Sequence, residues 1–244
     1  MSYQTFAQVY DAIMDDSLYE RWGRFVNQNL QNNGQKLLEL ACGTGALAVT
    51  LKKLGYDVTG LDLSPNMLSL ANERAIFAGV QLPLIEGDML DLSDVGEFEA
   101  VTCFSDSICY MPDEEAVSTV FKEVSNILTP TGIFLFDVHS TYQVDEIFPG
   151  YMYNDQSEEI SFLWQSYPGE NKHSIEHDLT FFVYNEDIDS YERFDETHKE
   201  RTYPLETYYD MLEKAGFSSI KVYADFGSSE VEKESIRWFF ACTK

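Results

Sequence analysis

From Lys36 onward, short apolar runs alternate with helix-length segments whose apolar residues recur every three or four positions. In order they read "KLLELA", "GALAVTLKKLG", "YDVTGLDL", "SPNMLSLANERAIFAG", "LPLIEGD", "FEAVTCFS", "DEEAVSTVFKEVSNIL" and "GIFLFDVHS". Runs that are apolar on both faces and joined by helices belong to a parallel sheet covered on both sides, so the order predicts βαβαβ followed by βαβ. The punctuation agrees. Ser64 and Pro65 form an N-cap and first helical residue, Gly55 stops the first helix, and Asp113 opens a helix that ends before Pro130.

The pattern changes after Thr141. "EISFLWQSY", "SIEHDLTFFVY" and "SYERFDETHKERTY" alternate with period two and are separated by "PGENKH" and "NEDID", which predicts a three-stranded antiparallel meander. A helix resumes at "PLETYYDMLEKAGF", between Pro204 and Gly216, and "SIKVYADF" and "SIRWFFACTK" finish as strands. The meander is thus expected as an insertion over residues 141–203 into an α/β domain formed by 1–140 and 204–244.

Composition narrows the function classes. A 44% hydrophobic content and 35 aromatics in 244 residues support one substantial core rather than disorder. No basic start precedes an apolar run, and no run is long enough to cross a bilayer, so a cytoplasmic protein with no membrane partner is expected. The four cysteines form no CxxC pair and read as buried free thiols, with no metal site expected. Sixteen Lys+Arg against 42 Asp+Glu give a net charge of -26, which disfavours nucleic acid and other polyphosphates.

The first strand-to-helix turn carries the chemistry. Small residues there bring backbone N–H groups next to a ligand. The phosphate-loop pattern GxxxxGK[ST] is absent, and GxGxxG is half present as Gly43 and Gly45. Glu39 at the end of the first strand and Asp62 at the tip of the second would repel a pyrophosphate. They suit a ligand with positive charge on one side and a ribose on the other.

Here the chain resembles the class I S-adenosylmethionine-dependent methyltransferases, whose first motif reads acid-x-Gly-x-Gly-x-Gly. This sequence has Glu39-Leu40-Ala41-Cys42-Gly43-Thr44-Gly45, with Ala41 in place of the first glycine. The resemblance implies a Rossmann-like α/β fold, with a central, mostly parallel, seven-stranded sheet, helices on both faces and the inserted meander. It implies S-adenosylmethionine as cofactor, with Glu39 near the methionine end and Ala41, Gly43 and Gly45 under the ligand. Asp62, followed by Leu63, matches the acid that takes the ribose hydroxyls. Asp88 and Met89 match the adenine position, and Phe104 and Ser105 the point where the fourth strand meets the cofactor. In the N-terminal segment, expected as a helical lid over residues 1–30, Tyr10 and Trp22 match residues that cover the cofactor.

Methyl transfer from a sulfonium needs alignment first and a base only where the acceptor must lose a proton. His139, at the end of the fifth strand, is the first candidate for that base and Tyr110 the second. His177, His198 and Arg201 lie in the meander without metal-ligand spacing. From Thr141 to Glu200 the chain carries 15 acids, 3 bases and 12 aromatics, which favours a neutral or cationic small acceptor. A tRNA or protein acceptor, and a non-catalytic sensor of the cofactor, are the alternatives. The assembly is expected to be a monomer or homodimer.

Overall fold

The computed structural model describes residues 15–30 and 35–244. Residues 1–14 of the expected lid, Tyr10 among them, lie outside the described residues.

Helix α1 (Asp16–Asn29) is capped by Asp15, whose side chain accepts from the Ser17 N–H. It is followed by β1 (Lys36–Leu40), α2 (Ala46–Lys53), β2 (Asp57–Asp62), α3 (Pro65–Ala78), β3 (Leu84–Glu86) and β4 (Phe98–Cys103). A short 3-10 turn (Ser107–Tyr110) then leads to α4 (Glu114–Ile127) and β5 (Leu128–His139). The predicted caps are in place: Ser64 Oγ accepts from the Met67 N–H, and the Asp113 carboxylate from the Ala116 N–H. Each satisfies a donor that the first helical turn leaves unpaired.

The second half forms two units. Strands β6 (Met152–Gln156), β7 (Ile160–Pro168), β8 (Ser174–Asn185) and β9 (Ser190–Arg201) make a separate antiparallel sheet in that order. Then α5 (Leu205–Ala215), β10 (Ser219–Tyr223) and β11 (Arg237–Thr243) complete the main sheet. Its order is β10-β11-β5-β4-β1-β2-β3, and among its pairings those of β11 with β10 and β5 are antiparallel.

The three-stranded meander requires correction, because the inserted sheet has four strands. All five residues of β6 are exposed, so "MYNDQ" has no inward-facing apolar alternation to betray it. It is an edge strand held by backbone pairing to β7.

Two apolar clusters cover the two faces of the main sheet. One packs Val117, Phe121, Tyr208 and Leu212 of α4 and α5 onto Phe134, Phe136 and Phe240. The other packs Trp22, Phe25 and Val26 of α1 with Leu47 and Leu51 of α2 onto Leu37, Leu135 and Phe239. Residues 16–30 are therefore built into the core: Phe25 and Val26 are wholly buried. The four cysteines are free and buried. Among the described residues no helix is long and apolar enough to cross a membrane.

Since β1 lies between β2 and β4, the chain reverses direction across the sheet at β1, and a crevice opens at the carboxyl ends of these strands. The residues of the site below lie at or near that edge, at the end of a main-sheet strand or on the loop after it, with Trp22 reaching it from α1 and others facing it from β7, β8 and β9.

Candidate functional site

The turn after β1 is shaped by left-handed backbone. Ala41, Gly43 and Gly45 have φ of 51°, 53° and 73°. A Cβ on Gly43 would meet nothing within 4 Å, so the space above it is open to a ligand. Gly45 works differently. A Cβ there would come within 2.8 Å of the Ala71 Cβ, so this glycine lets α2 approach α3.

Asp62, at the tip of β2, is fixed by the turn it faces. Its Oδ2 accepts from the Gly43 N–H at 2.8 Å and its Oδ1 from the Ser64 N–H at 2.8 Å. Each oxygen keeps a lone pair for a ligand hydroxyl. Glu39 is buried, with Oε2 lacking a hydrogen-bond partner among the described residues. Burial, and next the charge of Asp62, pushes its carboxyl up to about 8. An orphaned buried carboxyl oxygen is costly unless a ligand satisfies it.

These residues open onto one cleft of about 1490 Å³, lined also by Trp22, Leu63, Met89, Phe104, Ser105, Tyr110 and His139. Of the residues matched by sequence, Gly45 and Asp88 do not line it. Asp88 is exposed, and its carboxylate accepts from the Leu90 N–H, shaping the loop that carries Met89. Trp22 stacks near Phe104, and its indole N–H donates to Asp137 Oδ2 at 2.8 Å.

Beside the turn lies a charged group that sequence reasoning missed. Ser105 and Asp106 both have positive φ, a conformation costly for non-glycine residues, and the Asp106 N–H donates to Asp137 Oδ1 at 2.9 Å. Asp137 is wholly buried and also pairs with Arg237 at 3.0 Å, while Arg237 reaches Asp106 at 2.6 Å. The same guanidinium leaves the two carboxyls on opposite sides of their ordinary value. Burial pushes Asp106 up, but Arg237 and then His139 outweigh it and hold it well below the usual range. For the deeper Asp137, burial wins and its carboxyl rises. Asp137 and Arg237 each interrupt an apolar run, "GIFLFDVHS" and "SIRWFFACTK", and β5 pairs with β11 so that His139 lies opposite Arg237. Opposite charges inside two apolar strands were the available signal.

His139 Nε2 stands 3.5 Å from Asp106 Oδ2 and 3.4 Å from Glu200 Oε2. Glu200 enters from β9, is buried, and is pushed up to about 7 by burial and the charge of Asp106. Behind it, His177 Nδ1 receives the Trp164 indole N–H at 3.1 Å and contacts Ser166 Oγ at 2.8 Å. Indole nitrogen only donates, so Nδ1 is an acceptor and the neutral ring carries its proton on Nε2. Burial, and then His139, pushes this imidazole down to about 4, which keeps it neutral. Its Nε2 faces Glu200 Oε1 at 3.7 Å. Tyr110 and His198 are brought together, hydroxyl to Nδ1, at 3.0 Å.

The whole chain aligns with a Bacillus subtilis (strain 168) protein named "Putative methyltransferase YqeM", 41% identical over 100% of this chain and 98% of that one. A solved S-adenosylmethionine-dependent methyltransferase from Clostridium acetobutylicum ATCC 824 superposes with a TM-score of 0.84. It is 29% identical over 99% of this chain and 98% of its own. This chain belongs to the S-adenosylmethionine-dependent methyltransferases. A family described as "Methyltransferase domain" matches residues 37–132, the stretch from β1 into β5 that holds the turn, Asp62 and Asp106. The sugar N-methyltransferase KedS8 from Streptoalloteichus sp ATCC 53650 shares the fold, with a TM-score of 0.78 at 20% identity over 98% of this chain and 92% of its own.

The cofactor of this methyltransferase is S-adenosylmethionine, and the site fits it. The open space over Gly43, the free lone pairs of Asp62 and the orphaned Glu39 oxygen suit a close-lying chain, a diol and a cation. When bound, the cofactor supplies an electrophilic methyl on a cationic sulfonium. The residues' task is to hold the acceptor in line with it and to exclude water, for which orientation alone contributes up to roughly 7 to 11 kcal/mol.

Proposed function

We propose that this methyltransferase acts on a neutral or cationic small molecule bound between the main sheet and the inserted sheet. The observation that carries this is the continuity of the cleft. At about 1490 Å³ it exceeds the roughly 300 to 1,000 Å³ of a pocket for one small ligand, leaving room for cofactor and acceptor together. Its far wall is Phe148, Phe162, Trp164 and Leu179, and its lining holds nine acids against three bases. Such a wall favours apolar and cationic groups and repels polyanions.

In this reading Asp62 takes the ribose hydroxyls, Glu39 faces the cationic methionine end, and Trp22, Leu63, Met89, Phe104 and Ser105 enclose the rest. Tyr110 and His139 stand on the acceptor side. With its Nε2 unligated, His139 accepts the acceptor's proton where one must leave. The sugar N-methyltransferase activity named for KedS8 is consistent with a small acceptor in a fold of this shape.

Incubation with methyl-labelled cofactor and, separately, extracted metabolites, bulk RNA and protein tests the acceptor class. Label should enter the metabolite fraction. Incorporation into RNA or protein alone would overturn the reading.

The Glu39 assignment has its own signature. Its carboxyl, near 8 when free, is mostly protonated at pH 7, and a cation beside it favours the ionised form. Cofactor binding at pH 7 should therefore release a proton, read as a binding enthalpy that changes with the ionisation enthalpy of the buffer. As pH rises through 8 this release fades, because the free carboxyl is already ionised. In Glu39→Gln the buffer dependence should vanish; its persistence would remove Glu39 from the cation's side.

A further inference from the structure

Asp106, His139 and Glu200 come from three distant parts of the chain, are all buried, and each places one ligand-type atom within 4.8 Å of the other two. Their contacts are too long for what they resemble. Charge-assisted N–H···O bonds run about 2.7 to 2.9 Å, yet His139 Nε2 stands 3.5 Å from Asp106 Oδ2 and 3.4 Å from Glu200 Oε2. They are also too short for an ammonium group at the centre. Three acceptors around a tetrahedral N–H donor, at the same bond lengths, would be about 4.4 to 4.7 Å apart. Tetrahedral ligands on bonds of about 2.0 to 2.2 Å are spaced about 3.3 to 3.6 Å apart, and both measured separations fall in that range.

Two further observations agree. Glu200 Oε2 is nine-tenths buried or more and has no hydrogen-bond partner among the described residues, although it is aimed at this centre. Asp106 also has an outer partner on its second oxygen, Arg237 on Oδ1 at 2.6 Å, as ligating carboxylates do. His177 Nε2 stands 3.7 Å from Glu200 Oε1, beyond hydrogen-bond distance. The charges match as well. When ionised, Asp106, Asp137 and Glu200 carry three negative charges against the single guanidinium of Arg237, and a divalent cation cancels the remainder.

We infer that Asp106 Oδ2, His139 Nε2 and Glu200 Oε2 form a binding site for one divalent transition-metal cation of the zinc type. Three protein ligands leave the fourth position open. All three residues line the cleft, so that position faces the acceptor side, where a hydroxyl or amine can reach it. The metal site stands on ligand geometry and does not depend on which acceptor is used.

The test is Co2+ titration of the chelator-treated full-length protein, followed by visible absorption, with cofactor binding measured in parallel by calorimetry. The expected result is one Co2+ per chain with the intense bands of four-coordinate cobalt. Glu200→Gln and His139→Gln should each weaken Co2+ binding by tenfold or more while still binding the cofactor. His173→Gln, whose imidazole pairs with Asp145 outside this group, should leave Co2+ affinity unchanged. Absence of a stoichiometric Co2+ complex in the unaltered protein would overturn the inference. So would equal Co2+ affinity in the Glu200→Gln and His139→Gln variants that retain cofactor binding, or an equal loss in His173→Gln.

Discussion

Replacing Asp62 with alanine should weaken cofactor binding by about tenfold to several hundredfold, since hydrogen bonds to a charged group contribute roughly 1.5 to 3 kcal/mol each and about 1.4 kcal/mol is a factor of ten. The structure adds a second reason. Asp62 Oδ2 also accepts the Gly43 N–H, so its loss frees the turn that lies under the ligand. Asp62→Asn separates the two effects. It keeps one acceptor oxygen, which can hold either the turn or a hydroxyl, and should lose less than alanine. Calorimetric titration with S-adenosylmethionine reads both variants, and the fold should survive because Asp62 is only partly buried at the mouth of the cleft. An unchanged affinity in Asp62→Ala would remove this residue from the cofactor.

Asp137→Ala should be the most damaging single substitution for stability. Its two oxygens, wholly buried, accept from the Trp22 indole, the Arg237 guanidinium and the Asp106 backbone N–H. Removing them strands a buried indole N–H and deprives a guanidinium of one of its two carboxylates. Breaking one side of a buried pair typically costs about 3 to 5 kcal/mol. In a chain of this size that corresponds to a fall of roughly 6 to 20 °C in Tm. Asp137→Asn, which keeps an acceptor for the indole or the backbone, should lose less: its loss measures the charge, and the further loss in alanine measures the remaining acceptor and packing. Urea unfolding provides the check. A loss below about 1 kcal/mol for the alanine variant, the range of exposed pairs, would show that the network is not what fixes α1 to the sheet.

The pairing also bears on the N-terminal segment. Trp22 is held by Asp137 from the core side and faces the cleft on the other, so α1 is at once a wall of the site and part of the second apolar cluster. A covering role read from aromatic residues in sequence is therefore, for residues 16–30, also a packing role. Sequence pattern cannot separate the two, since both demand apolar residues at helical spacing.

What the sequence determined was whatever depends on neighbours along the chain. The apolar runs from Lys36 to His139 had the period and punctuation that fix strands, helices and their parallel order. The turn from Glu39 to Gly45 and the acid at Asp62 lie at the ends of consecutive strands, so a local motif was enough to bring Glu39, Ala41, Gly43 and Asp62 to one cleft. The edge strand β6 was not legible, because an edge held by backbone hydrogen bonds needs no apolar face. The charged group on the other side of the cleft was decided by tertiary structure, with His139 its one member legible in sequence. Asp106, Asp137, His139, Glu200 and Arg237 come from one loop and three strands, and β11 must run antiparallel to β5 for Arg237 to stand opposite His139. Their ionisation, spacing and orphaned atoms follow from low-dielectric burial of charges brought together across two sheets. Such an environment exists only once the chain has folded, and no single residue's position in the sequence carries it.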